Sequence, residues 1–176
     1  MILDIVVYPD KILEQKMPEV TVFDENLKVE VQNMIESMYH HKGIGLAANQ
    51  VGIAKRMFVM DIRDIDDANG YMCDQIYHFI NPKITGKSSK INGYEEGCLS
   101  VPGQRANVER PEEIELEYQD FTGKFNKITA KYLAATCIQH EMDHLDGAVF
   151  IDRVKSKLKQ NMMRNKAVRV KKDREN

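Results

Sequence analysis

Cysteine is scarce in this chain, three in 176 residues. An odd number of scattered cysteines builds no disulfide framework, so a reducing cytoplasm is the expected compartment. No apolar run approaches membrane-spanning length, and the stretch from Met1 to Tyr8 has neither the basic start nor the length of a secretory signal. Internal repeats, low-complexity linkers and a Gly-x-x-x-x-Gly-Lys-Ser/Thr phosphate cradle are all missing. Neither a membrane nor a specific DNA sequence is an expected partner. What is present is 43% hydrophobic residues, enough at this length to bury a core. The expectation is a single catalytic domain over 1–176, with 153–176 as a basic C-terminal helix or tail.

The most informative stretch runs from Gln139 to Gly147 and contains His140-Glu141-Met142-Asp143-His144. Two imidazoles four residues apart on a helix point the same way and can share one metal ion, while the glutamate beside the first is placed to carry protons. A catalytic zinc-type centre needs a third protein ligand and an open position for water. The extended pattern His-Glu-x-x-His-x-x-Gly-x-x-His fails, because Phe150 stands at its last ligand position. Asp152 is the only reasonable downstream carboxylate. Cys137 shares the helical face but lies roughly 10 Å along the axis from His144, an awkward reach that suits a small buried apolar residue better. His40 and His41 end a helix, where positive charge suits the dipole, and His78 has no partner nearby. Cys98 stands in a turn-rich segment between Gly97 and Pro102-Gly103, and a thiolate is a strong ligand for zinc or ferrous iron. Cys98, His140 and His144 are therefore the expected ligand set for one ion per chain.

Three segments carry a resemblance. Gly43-Ile44-Gly45-Leu46-Ala47-Ala48-Asn49-Gln50, then Glu96-Gly97-Cys98-Leu99-Ser100, then Gln139 to Gly147 resemble, in order, the signature segments of bacterial peptide deformylase. The resemblance implies hydrolytic removal of the formyl group from N-formylmethionyl nascent peptides, releasing formate. It implies ferrous iron as the working ion, with nickel or cobalt able to substitute. The donor set taken by itself favours zinc. In this scheme the ion makes hydroxide available near neutral pH and Glu141 handles the proton. The Gln50 side-chain amide and the Leu99 backbone N–H receive the charge that builds on the formyl oxygen. Ile44, Tyr94, Leu133 and Cys137 are candidates to line a pocket for the methionine side chain, and equally candidates for plain core. Gly45 presents backbone groups to the peptide or simply makes a tight turn. Two rivals use the same residues differently. A zinc endopeptidase needs neither Cys98 nor Gln50, and a structural metal site takes four protein ligands and leaves Glu141 idle.

Gly43 to Ala48 also satisfies a dinucleotide-binding pattern, with Asp61 and Asp64 downstream. That pattern needs a strand before it and a helix after it, whereas helical spacing precedes these glycines and a strand over Met57 to Ile62 follows. Asp24 is a cap for a helix from Glu25 to Lys42 with Gly43 as its stop. Further strands are expected at Ile76 to Ile80 and Ile114 to Gln119, a motif helix from Ala130 to Leu145, and a last helix from Asp152 to Lys171. Strands grouped between helices favour an α+β fold, and the resemblance implies small antiparallel sheets around the motif helix. From Arg153 onward ten lysines and arginines face Asp173 and Glu175, an excess of eight, which leaves the remainder near −10 for an overall charge of −2. The preferred reading of that tail is a surface helix docked by Val154, Leu158 and Met162. The sharper alternative is a salt-sensitive contact with ribosomal RNA.

Overall fold

Helix α1 (Glu25–His40) begins where the sequence places its cap: Asp24 Oδ1 accepts the Leu27 N–H at 3.0 Å. Leu27, Val31, Met34 and Met38 follow at helical spacing and are buried. The helix stops before Gly43. Lys42 takes the left-handed conformation, with φ 58°, and the Gly43 N–H reaches back to the Met38 carbonyl at 2.8 Å. The structure, a computed structural model, describes residues 1–65, 72 and 74–175, so half of the acidic stretch from Asp61 to Asp74 lies outside it.

Seven strands follow: β1 (Gly45–Ala47), β2 (Met57–Met60), β3 (Tyr77–Lys87), β4 (Ile91–Cys98), β5 (Val101–Pro111), β6 (Glu113–Gln119) and β7 (Phe125–Lys131). They form a five-stranded sheet in the order β1-β2-β3-β6-β7 and a separate β4-β5 hairpin, with every pairing antiparallel. All four residues of β2 are buried, because both faces of the strand are covered. Met57 and Val59 pack in the cluster with α1, while Phe58 and Met60 pack in the cluster with the motif helix.

Helix α2 (Tyr132–Leu145) is the motif helix, and every residue from Ala134 to Leu145 is buried. It starts two residues later than its apolar pattern suggests, since Ala130 and Lys131 still pair with Ile114 and Glu113 on β6. The architecture is the expected α+β arrangement, antiparallel sheets around a central helix with a helix at each end. No helix among the described residues is long and apolar enough to cross a membrane.

The C-terminal region departs from expectation. A 3-10 turn (Phe150–Arg153) interrupts the chain before helix α3 (Lys157–Glu175). The break shifts the helical phase, so Val154 is buried ahead of the helix while Leu158 and Met162 stand exposed at 72% and 63%. The docking stripe is instead Gln160, Met163 and Ala167. Met163 and Ala167 join Val101, Ala106 and Val108 of β5, with Phe150, Ile151 and Val154, in a third apolar cluster.

Candidate metal centre

The β4-β5 hairpin and α2 bring the distant thiol to the two imidazoles. Register slips between Gly97 and Cys98, and the irregularity lets Cys98 end β4 with its sulfur turned to the helix. Cys98 Sγ lies 3.2 Å from His144 Nε2, and the ligand atoms of Cys98, His140 and His144 all fall within 4.8 Å of one another. A tetrahedral ion with bonds of about 2.0–2.3 Å sets its ligand atoms roughly 3.3–3.6 Å apart, so the trio closes on a single cation with small adjustments. It is the only such cluster of His, Cys, Asp and Glu among the described residues. The downstream alternative is excluded by position, since Asp152 accepts from the Val149 N–H and from Arg164 instead. His41 faces the Leu3 carbonyl, and His78 packs against Phe121 on the sheet.

The electrostatics of the trio suit a cation. Burial pushes the Cys98 thiol up, but the charges and hydrogen bonds of His144 and His140 prevail and hold it at about 5, so the sulfur is a thiolate. Burial pushes His140 down, and its bonds to Cys98 and Glu96 more than offset this. His140 Nδ1 is 2.8 Å from Glu96 Oε2, which leaves Nε2 for a ligand. One further atom, the Glu141 carboxylate oxygen Oε2, fits a site that takes something from outside, whereas His144 Nδ1 faces away from Cys98. Glu141 Oε2 and His144 Nδ1 are buried with no partner among the described residues. Burial raises the Glu141 carboxyl above the ordinary range, with His140 and His144 pulling the other way. Cys137 is held far up by burial, a neutral thiol as its sequence context suggests.

One cleft of about 1080 Å³ is lined by Ile44, Gly45, Gln50, Tyr94, Cys98, Leu99, Leu133, Cys137, His140 and Glu141, and His144 lies buried beneath it. The expected ligands, Glu141, Gln50, Leu99 and the pocket candidates thus meet in one place. Gln50 sits in a 3-10 turn (Ala48–Val51), where its Oε1 accepts the Ala47 N–H at 2.9 Å. That bond sets the amide's direction, and its Nε2 faces Cys98 Sγ at 3.4 Å and Ser100 Oγ at 3.2 Å. Asn49, beside it, donates to the His144 carbonyl at 2.7 Å and so ties the end of the motif helix to this turn. Within the Gly43–Ala48 stretch Gly45–Ala47 form β1, and the element before the glycines is α1 rather than a strand, so the dinucleotide pattern lacks its context.

Sequence reasoning placed Glu96 and Ser100 in a signature segment without giving them a role, and it passed over Arg110. Glu96 is contacted by Arg110 Nε at 2.6 Å and Nη2 at 2.9 Å as well as by His140, and Arg110 is buried at 5% exposure. Arg110 takes the next inward position after Ala106 and Val108 on β5, but an arginine there reads as a solvated residue until its partners are known. Only the position of Glu96, two residues from Cys98 and so on the same face of the strand, hinted at it.

Comparison with known proteins agrees with this geometry. A family model described as polypeptide deformylase matches residues 2–160. The peptide deformylase of Zymomonas mobilis is 44% identical over 174 residues, covering 99% of this chain and 97% of that protein. That of Pelagibacter ubique is 46% identical over 167 residues, covering 94% and 93%. Among solved structures, peptide deformylase from Ehrlichia chaffeensis superposes with a TM-score of 0.89 at 38% identity, covering 98% of each chain. A second structure from that organism, in complex with actinonin, gives 0.87 at 40% identity, covering 98% of this chain and 97% of that one.

Proposed function

The chain belongs to the peptide deformylase family, hydrolases that remove the N-formyl group from newly made peptides, and on that premise we propose that Cys98, His140 and His144 hold one divalent ion and that Glu141 carries the proton. The observation that carries this reading is the meeting of one thiolate and two imidazoles beside a buried carboxylate oxygen that has no partner among the described residues. When bound, the ion acts as a Lewis acid and brings the pKa of a water toward neutrality. Glu141 Oε2 takes a proton from the water that attacks the formyl carbon. Buried and without a partner among the described residues, that oxygen is placed to hold the proton for the departing amine. Gln50 Nε2, aimed by the Ala47 N–H, and the Leu99 backbone N–H are the donors toward the formyl oxygen as charge develops there. The carbon–nitrogen bond breaks, Glu141 returns the proton to nitrogen, and formate and a free amino terminus leave.

Ile44, Tyr94, Leu133 and Cys137 form the apolar lining for the methionine side chain, and Gly45 on β1 offers backbone groups to the peptide. Ferrous iron is the working ion the resemblance favours, with zinc the alternative that the donor set by itself favours and nickel or cobalt as substitutes. A reducing cytoplasm keeps Cys98 competent as a ligand. Residues 1–176 act as one catalytic domain, α3 included, because Met163 and Ala167 are part of its core. The exposed face of α3, where Leu158 and Met162 stand among Lys159, Lys166 and Arg169, is the surface for ribosomal RNA contact.

The test is formate release from formyl-Met-Ala-Ser by anaerobically prepared protein, with metal content measured alongside. Cys98→Ala should lose both metal and turnover. Glu141→Ala should keep the metal and lose turnover by at least about a hundredfold. Retained turnover in Cys98→Ala would overturn the ligand assignment.

A further inference from the structure

A second set of polar groups, from β4, β5, α2 and the Phe150–Arg153 turn, leads from His140 at the cleft to the molecular surface. His140 Nδ1 meets Glu96 Oε2 at 2.8 Å, and Glu96 receives both Nε and Nη2 of Arg110. Arg110 Nη1 donates to Asp143 Oδ2 at 2.9 Å. Arg153 closes the line, donating Nε to that same oxygen at 3.0 Å and Nη2 to Asp143 Oδ1 at 2.6 Å. Two carboxylates and two guanidiniums alternate along it. Glu96, Arg110 and Asp143 are buried, whereas half of the Arg153 side chain is in solvent.

Such a line holds its geometry only while each buried charge has its full set of partners. With Arg153 removed, Asp143 keeps one cation, Arg110, and its Oδ1 is left bare. The carboxylate then draws the Arg110 fork toward itself and away from the paired contact with Glu96. Glu96 in turn is the group that orients the His140 ring, and a ligand imidazole whose other nitrogen is loosely held is a weaker ligand.

We propose that Arg153 is a positioning residue for the metal centre, acting through Asp143, Arg110 and Glu96 on the orientation of the His140 ring. The inference rests on the reading of Cys98, His140 and His144 as ligands. It places control of ion retention at a half-exposed side chain in the turn that leads into α3.

Cobalt(II) alone is the probe, loaded anaerobically, with release to a chelator followed through the visible absorption of the thiolate-bound ion. Arg153→Met should release cobalt about tenfold faster than the parent, at the lower end of what loss of an outer partner costs. Arg153→Lys, which keeps the charge and one donor, should recover most of the difference. Lys155→Met, two residues on and more exposed, in a pair with Glu109, should release at the parental rate. The metal-free Arg153→Met protein should melt somewhat below the metal-free parent, because Asp143 loses a partner, and the loaded pair should differ by clearly more. Parental release from Arg153→Met, or an equal loss of stability in its metal-free and loaded forms, would overturn the proposal in favour of a merely structural ion pair. A separate arm guards the premise: an unchanged cobalt spectrum in Cys98→Ser would overturn the ligand reading, and the inference with it.

Discussion

Gly45 faces the proposed base with no room to spare. A Cβ built there would lie 2.6 Å from Glu141 Oε1 and 2.9 Å from Cys137 Sγ. Since both are buried, a methyl group must push the carboxylate aside. Gly45→Ala should keep its metal and lose on the order of a hundredfold in kcat for formate release, the scale expected when a reacting group is displaced by about an ångström. Parental kcat would show that the carboxylate moves without cost. At this scale the sequence was legible wherever chemistry dictates residue type: thiolate, two imidazoles and a carboxylate at fixed spacing. Gln50 could be named but not aimed, because the direction of its amide depends on the Ala47 N–H three residues back. Glu96 and Arg110 could not be paired from sequence, because they meet across the β4-β5 hairpin and through the side of α2.

The elements were legible in proportion to their apolar periodicity. α1, β2 and α2 carry continuous or helical apolar patterns and were placed to within two residues or so. The β4-β5 hairpin carries little, since two of the inward positions of β5 are the polar Gln104 and Arg110, bonded to the Met163 carbonyl and to Glu96. α3 shows the opposite failure, in which a stripe of Val154, Leu158 and Met162 exists on paper but the Phe150–Arg153 turn puts it out of phase. Because Met163 and Ala167 are core, deleting α3 is a poor probe of its surface. Lys159→Glu combined with Arg169→Glu should leave the fold intact and weaken co-sedimentation with ribosomes. The slope of log affinity against log salt should fall by about two. Binding equal to the parent's at low salt would remove the RNA contact. A second prediction concerns the link from α1 to the end of β2, where Asp61 accepts from Tyr39 and from Arg63 Nη2 at 2.7 Å. The Arg63 hydrogen bond holds Asp61 at about 2, below its ordinary 3.8, so its contribution is full above pH 4 and fades as the pH falls toward 2. With Arg63 partly in solvent, Asp61→Asn should lower the urea stability of the metal-free protein by about 1 kcal/mol at pH 7. The gap to the parent should close between pH 4 and 2, and a gap that is flat with pH would refute the assignment.

At the scale of the whole molecule, the ligands come from two separate bodies of structure, the hairpin and the helix, so an ion bound there joins them. Stripping the metal should lower Tm by about 5–10 °C, the equivalent of roughly 2.7 kcal/mol for a ligand at a hundred times its Kd. Unfolding followed by calorimetry and by a probe on α3 should coincide, as α3 shares its core with β5. Equal Tm with and without metal, or early melting of α3, would contradict this. The sequence by itself determined the chemistry and the family, because ligand type and ordered motifs are local facts that survive without coordinates. Only the tertiary structure decided which face of α3 is dry, where the amide of Gln50 points and how His140 is tied to Arg153, because those depend on contacts between residues that no periodicity relates.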